Sequence, residues 1–255
     1  MEVKNMQEKE LTIKRDGLRL ATILDVPAER NFDLVIMMHG FTSNLGYSAT
    51  SLFYQLATKL QQSGLATLRF DFNGHGKSDG QLQEMTVLNE IADAKAVLAY
   101  ARHLPGVQHI YLLGHSQGGV VASMLAGLYP DLVDKLVLMS PAATLKDDAL
   151  RGQCQGETSD PHHIPQIVRV AGYDIGGFYF RTAQLLPIYE VAAHFEGAVC
   201  LVHGLADTVV DPDASRRYDE IYQNAELHLR ADCDHSYMVL PKRRQAIELI
   251  TNFLH

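Results

Sequence analysis

The 255-residue sequence predicts an α/β fold, a mostly parallel sheet of about eight strands with helices on both faces. Three patterns carry that expectation. Five short apolar runs lack polar alternation, helix-period segments separate them, and a pair of alternating strands precedes them all.

Residues 11–15 (LTIKR) and 18–24 (LRLATIL) alternate around Asp16-Gly17, a dipeptide that supplies the positive φ of a tight hairpin turn. They form an antiparallel pair. The runs LVIMM (34–38), LATLRF (65–70), IYLL (110–113), LVLM (136–139) and VCLV (199–202) are then strands buried on both faces. Between them, Phe53, Leu56 and Leu60 share one helical face, and Val87, Ile91, Ala94 and Leu98 share another. Such stripes suit helices laid on a sheet. A last strand, AELHLR (225–230), precedes a closing helix from Pro241, a favourable first-turn residue, to Leu254. One region breaks the rhythm: more than fifty residues separate the strand ending near Ser140 from the one beginning near Ala198. The segment holds Pro141, Pro161, Pro165, Pro187 and the pair Gly176-Gly177, and is too long for one crossover helix. We expect residues 141–190 to form a cap or lid inserted in a single domain spanning 1–255.

Composition narrows the function. Thirty acidic against 22 basic side chains give a formal charge of -8, and the longest basic block is KRR at 242–244, so nucleic acid is not an expected partner. The N-terminal stretch MEVKNMQEKELTIKRDG has no apolar core, and no window approaches the roughly 18 apolar residues of a membrane span. A cytoplasmic protein that does not engage membranes is expected. Cys154, Cys200 and Cys233 are odd in number and dispersed, which fits a reducing compartment.

The sharpest local signal is Gly114-His115-Ser116-Gln117-Gly118, a G-x-S-x-G pattern with an apolar strand before it and a small-residue helix after it. A sharp strand-to-helix turn forces the serine into strained torsions, and glycines two residues away on either side let neighbouring backbone pass. The turn lifts the hydroxyl to the positive end of a helix. A serine hydroxyl needs a base, and the base needs an orienting acid; in such folds both follow the serine, acid first, on loops after strands. Asp207 lies just past the strand AVCLVHG and is the preferred acid, with Asp211 an open rival; Asp213, after Pro212 and before a helix, is expected to be an N-cap. Of twelve histidines only His235, in DCDHSY (232–237), occupies the loop after the last strand. His39, His115 and His203 flank strand ends and read as structural groups, His162 and His163 fall in the insertion, and His255 is terminal. Backbone N–H groups of Phe41, in MMHGFTSN, and of Gln117 are the expected oxyanion donors.

Two attractive signals fail. NGHGKSDG (73–80) contains Gly-Lys-Ser, but position 71, where a phosphate loop needs glycine, is Asp71, and position 79, where a dinucleotide loop does, is Asp79. It reads as a turn. Neither His162-His163 nor Cys233 with His235 has paired metal-ligand spacing, so no metal and no cofactor are expected.

Taken in order, HGFTSN, RFDFNGHGKSDG, GHSQGG, HGLADTVVDP and DHSY resemble the α/β-hydrolase superfamily over nearly the whole chain. The segments FDFNGHG, MTVLNEI, LLGHSQGGVVASMLAGLYPDLV, SPAATLKDDAL, GGFYFR, LPIYEVAA and DTVVDPDAS further resemble bacterial cinnamoyl (feruloyl) esterases, while RGQCQGETSDPHHIP and DCDHSYMVLPKRR depart from that family. The resemblance implies a serine ester hydrolase acting on small aromatic hydroxycinnamate esters. It also implies a cap in which Asp148, Gln155 and Tyr179 hydrogen-bond the phenolic substituents. Rival readings are another serine hydrolase of this fold (monoacylglycerol lipase, thioesterase or peptidase) and a non-catalytic receptor on the same scaffold. The charges Asp147, Asp148, Arg151, Glu157 and Asp160 in the insertion weigh against the lipase. A homodimer is compatible with all of these readings.

Overall fold

Asp16 and Gly17 both take positive φ, 49° and 87°, and the chain reverses there between strands β1 (Gln7–Arg15) and β2 (Leu18–Val26), which pair antiparallel from Arg15↔Leu18 to Gln7↔Val26. The structure is a computed structural model that describes residues 7–255; residues 1–6, the start of the stretch read above for a leader, lie outside the described residues. Beyond the hairpin, strand and helix alternate: β3 (Phe32–Met38), α1 (Leu52–Gln62), β4 (Ala66–Phe70), α2 (Val87–Ala101), β5 (Val107–His115), α3 (Gln117–Leu128) and β6 (Lys135–Met139). The insertion follows, with α4 (Leu145–Arg151), β7 (Gln153–Cys154), β8 (Glu157–Thr158), β9 (Ile167–Val170), β10 (Tyr173–Gly176), α5 (Gly177–Ala183) and α6 (Ile188–Ala192). The chain then returns to the sheet through β11 (Ala198–Gly204), α7 (Asp213–Ile221), β12 (Ala225–Arg230) and α8 (Leu240–Leu254).

The main sheet has eight strands in the order β1-β2-β4-β3-β5-β6-β11-β12. Only β1 and β2 run against the rest: β2 pairs antiparallel with β4, and every later neighbour is parallel. From β3 the chain steps outward to β4 and then crosses back to the other side of β3 for β5, so the direction of winding reverses between β3 and β5. At such a switch point the loops after the two strands diverge and leave a crevice at their C-terminal ends. Some strands outrun their apolar cores, as β5 does before Ile110–Leu113: Val107 still pairs with Phe32 of β3, and a register shift carries the exposed Gln108 and His109 past the ladder before it resumes at Leu34↔Ile110.

The period-two pleat divides the core. Val35 and Met37 of β3 face a layer built on Leu56 and Leu60 of α1 and Ile247 and Ile250 of α8, whereas Leu34, Ile36 and Met38 face α2 and α3. Helix α2 starts with a capping box: Asn89 N–H donates to Thr86 Oγ1 (3.1 Å) and Thr86 N–H to Asn89 Oδ1 (2.8 Å). Asp71, where a phosphate loop would have needed glycine, accepts from the N–H of Leu45 (2.7 Å) and Lys77 (2.8 Å) and from the Tyr47 hydroxyl, which ties the loop after β3 to the turn after β4. The insertion is structured: two hairpins, β7–β8 and β9–β10, stand beside α4, α5 and α6. Its last helix runs to Ala192, just past the expected limit at 190. Among the described residues no helix is long and apolar enough to cross a membrane.

Two imidazoles, His39 buried and His115 half-buried, brace the strand ends. His39 donates from Nδ1 to Gly40 O (2.8 Å) and accepts at Nε2 from Phe72 N–H (3.1 Å); His115 donates from Nε2 to the His235 carbonyl (2.9 Å). Burial, with a neighbouring imidazole adding to it, lowers their pKa values to about 3 and about 4, so both are neutral near pH 7.

Two outcomes follow from this packing. A Cβ on Gly118 would collide with the backbone carbonyls of Met38 and His39, so Gly118→Ala should lower unfolding free energy by about 1–3 kcal/mol or prevent folding, as urea denaturation would show. For His115 the unfolded chain takes a proton below its ordinary value of 6.5 and the folded protein only below about 4. Stability should therefore fall as pH drops through that window and level off beneath it. In His115→Asn that contribution, on the order of 2 kcal/mol, should be absent from the difference between unfolding curves at pH 7 and pH 4.5.

Candidate active site

Ser116 sits between β5 and α3 with φ 55° and ψ -123°, torsions that cost a non-glycine residue on the order of 1–3 kcal/mol. Its backbone is held on both sides: the N–H donates to Met139 O (2.9 Å), and the carbonyl accepts from Gly119 (2.9 Å) and Ala142 (3.0 Å). Gly114 is needed because a Cβ there would strike the Gly118 backbone, the closest crossing in this turn. The side chain projects to the C-terminal edge of the sheet, at the switch point.

Two loops from farther along the sheet meet it. His235, between β12 and α8, places Nε2 2.9 Å from Ser116 Oγ and Nδ1 2.7 Å from Asp207 Oδ2. Asp207 lies in the turn after β11, where its Oδ1 accepts from the N–H groups of Val209 and Val210 (2.8 Å each). A carboxylate only accepts, so His235 carries its proton on Nδ1 and offers the Nε2 lone pair to the serine. Of the rival acids, Asp211 turns its Oδ1 to the Asp213 N–H (2.9 Å). Asp213 is not an N-cap: it is the first residue of α7, and its carboxylate pairs with Arg216 (2.6 Å). The N-cap position falls on Pro212, and Asp211 closes the turn in its place.

The strand-end position of His203 suggested a structural group, but it is also a neighbour of Asp207. Its Nε2 lies 3.2 Å from Asp207 Oδ2 and 3.2 Å from Val210 O, and its Nδ1 lies 2.7 Å from Ser215 Oγ. With two acceptors at Nε2 the proton belongs there, and the Ser215 hydroxyl donates to Nδ1. The spacing of four between His203 and Asp207 is visible in HGLAD, yet only the turn shows that the two side chains converge. Burial alone would raise the Asp207 carboxyl; hydrogen bonds from His203 and His235 outweigh it and hold the group well below the usual carboxylate range.

The rest of DCDHSY braces the loop. Asp234 Oδ1 accepts from the Ser236 N–H (2.9 Å), the Cys233 carbonyl accepts from Ala206 N–H (3.1 Å), and the Tyr237 hydroxyl donates to Val202 O (2.8 Å). Arg243 Nε donates to the Tyr237 carbonyl (2.7 Å) and pins the loop to α8. Among the described residues neither Cys233 nor His162-His163 falls in a group of three ligand atoms close enough to share a metal ion. Among the described residues one such group exists, Cys200, Glu226 and His228, with ligand atoms within 4.8 Å of one another on β11 and β12, away from the serine.

Ser116 stands where two chambers join. The inner one is walled by Phe41, Leu145, Ala149, Tyr179 and Val210 among others, and the outer one is bordered by His115, Thr208, His235 and Ser236; counted with the open solvent at their mouths they hold about 550 and about 1320 Å³. Phe41, Asp148 and Gln155 border both, and Gln117 and Tyr179 only the inner one. All five residues singled out from the sequence around the serine and in the insertion therefore reach the cavity. Gln117 opens α3, so its N–H has no acceptor within the helix. Asp148 pairs with Arg151 (2.7 Å), the Tyr179 hydroxyl donates to Gln117 Oε1 (2.7 Å), and Gln155 (φ 46°) with Gly156 (φ 86°) forms the tip of the β7–β8 hairpin. Glu90, in α2 and buried, was not singled out: its Oε2 accepts from Gln117 Nε2 at 2.7 Å, and nothing local in TVLNEI marks it apart from a capping turn.

Residues 33–184 match the family described by the alpha/beta hydrolase fold. The chain is 30% identical to human Serine hydrolase-like protein over 173 residues, 66% of this chain and 77% of that protein, and it spans 40% of the human Serine hydrolase-like protein 2. It is 32% identical to the 2-hydroxy-6-oxononadienedioate/2-hydroxy-6-oxononatrienedioate hydrolase of a Pseudomonas species over 244 residues, covering 80% of this chain and 81% of the relative. Among solved structures it is similar to Est1E from Butyrivibrio proteoclasticus with ferulic acid bound, at a TM-score of 0.91 and 31% identity over 96% of this chain and 97% of the other. That likeness agrees with the resemblance drawn from the motifs. The eight-stranded sheet, the serine turn at its switch point and these matches lead to one assignment: the chain belongs to the α/β hydrolase fold family.

Proposed function

We propose that the protein is a cytoplasmic serine carboxylic-ester hydrolase that cleaves hydroxycinnamate esters (feruloyl, caffeoyl, p-coumaroyl) through an acyl-enzyme. The observation that carries this reading is the continuous hydrogen-bonded series Asp207–His235–Ser116, ending in a cavity with apolar walls and a few convergent polar groups. The likeness to Est1E, solved with ferulic acid, supports the substrate class.

The chemistry follows from the geometry. Ser116 Oγ attacks the ester carbonyl carbon while His235 Nε2 takes the hydroxyl proton, and the carbonyl oxygen becomes an oxyanion between the N–H groups of Phe41 and Gln117. Asp207 fixes the imidazole tautomer and stabilises the cation. The bond to the alcohol oxygen then breaks, and that oxygen takes the proton from His235. Water attacks the acyl-serine next, giving one proton to His235, which returns it to Ser116 Oγ as the acid leaves. No cofactor enters this scheme. Because His235 borders only the outer chamber, the alcohol departs on that side and the aryl acyl group lies inward. Residues 141–190 close over it as a cap, with Asp148, Gln155 and Tyr179 beside the ring substituents.

The Pseudomonas relative suggests a second reading, hydrolysis of a dicarboxylate. The inner wall disfavours it: among the described residues lining that chamber there is no Lys or Arg to meet a second carboxylate, and Asp148 would repel one.

Ser116→Ala should lower turnover by on the order of 10⁶ without shifting the thermal unfolding midpoint; substantial remaining esterase activity overturns the scheme. A panel of methyl ferulate, methyl caffeate, a long-chain acyl ester and a peptide amide tests the substrate. The two aryl esters should have the highest kcat/KM, and faster cleavage of the long-chain ester would favour a lipase instead.

A further inference from the structure

Gln117 faces two ways. Its N–H lies at the first turn of α3 beside Ser116, whereas its side chain runs into the core beneath Tyr179. The amide Nε2 is 2.7 Å from Glu90 Oε2 and 3.5 Å from Met85 Sδ, and Oε1 is 2.7 Å from the Tyr179 hydroxyl. All four side chains belong to buried residues.

The neighbours dictate which end of the amide is which. A thioether sulfur has no proton to give, so the end of Gln117 that meets Met85 must be the NH₂ end, and the same end meets Glu90. The carbonyl end is then under Tyr179. A phenol has one proton, and this one is committed to Gln117 Oε1. What the Tyr179 oxygen offers the cavity is lone pairs alone.

Glu90 is the anchor that sulfur by itself cannot be, because a thioether is a weak acceptor and a carboxyl oxygen at 2.7 Å is a strong one. Its presence is costly: burial pushes the carboxyl well above its ordinary range, and among the described residues no ion pair compensates it. An apolar side chain on α2 would pack there without that penalty. A buried carboxyl retained at such a cost, one residue removed from a cavity-lining phenol, suggests a role in orienting that phenol.

We propose that Glu90 is a positioning residue that acts through Gln117 to hold Tyr179 as a hydrogen-bond acceptor toward the cavity, so that the site selects aryl acyl groups bearing a ring O–H or N–H donor over those that can only accept. The inference rests on the aryl-ester reading above. It adds the polarity of the recognition and the residue that sets it.

The test uses the full-length enzyme and methyl cinnamates that are unsubstituted or carry hydroxy, amino or fluoro groups, at the 3- and 4-positions. These substituents are similar in size but differ in hydrogen-bonding sense. In the wild type, at one of the two positions, hydroxy and amino esters should exceed the fluoro and unsubstituted esters by at least about tenfold in kcat/KM, mainly through KM. A fluoro ester as good as the hydroxy ester at both positions overturns the acceptor assignment. Glu90→Met removes the anchor and should lower the donor preference at least about fivefold, whereas Glu90→Gln, which still presents an acceptor oxygen, should keep it. Equal loss on all esters in Glu90→Met marks a purely structural role and overturns the proposal. Loss of the preference in a folded Glu90→Gln does so too, which leaves a decisive variant even where Glu90→Met does not fold. A wild type that cleaves none of the cinnamates overturns the aryl-ester reading itself, while a donor preference that survives Glu90→Met overturns only the role of Glu90.

Discussion

The backbone of Ser116 is the constraint on which the rest of the site depends. Its left-handed torsions put the hydroxyl on the rim of the sheet, and they persist because three hydrogen bonds to the serine's own peptide groups fix it from β6, α3 and the loop beyond β6. Gly114 and Gly118 make this possible by letting the turn fold back on itself and α3 press against the end of β3. The same closeness brings Phe41, just after β3, to within reach of the serine. One strained residue thus fixes the position of the Ser116 hydroxyl and the crevice beside it, and α3, buried along its length, keeps both from moving.

Around that fixed point the donors are arranged to hold the Asp207 carboxylate as an anion. Asp207 is buried, yet four donors converge on it: two backbone N–H groups from its own turn and the imidazoles of His203 and His235. This is why its carboxyl stays ionised where burial alone would neutralise it. His39 and His115, lacking a carboxylate partner, go the other way and are held neutral by burial. Imidazoles clustered near one edge of the sheet therefore have distinct tasks, set by what each ring faces rather than by residue type.

The insertion supplies what the sheet cannot, a wall opposite the serine. Helices α4 and α5 and the β7–β8 hairpin bring Asp148, Gln155 and Tyr179 to the cavity, and the Tyr179–Gln117–Glu90 series ties that wall to α2 and α3. Tyr179 of the insertion and Glu90 of α2 are thus linked through the buried side chain of Gln117. A change in the core of α2 has a physical route to the cavity that a list of lining residues would not reveal.

Periodicity was enough to read the parallel sheet, its antiparallel start and the faces of α1 and α2, because burial on one or two faces imposes a spacing that survives in one dimension. The serine turn was legible for a similar reason: strand, G-x-S-x-G and helix are consecutive, and the glycines answer a local steric demand. Strand ends were less legible, since hydrogen bonding to a neighbour carries a strand past its apolar run. The pairing of Asp207 rather than Asp211 with His235 and the failure of Asp213 as a cap depended on how one turn closes; the second hold of His203 on Asp207 needed that same turn. Glu90 was invisible because its partner stands 27 residues away, and nothing in a helix sequence says which buried carboxyl faces an amide. Local sterics and burial leave a pattern along the chain; the orientation of side chains meeting from distant loops is decided only where the folded surfaces touch.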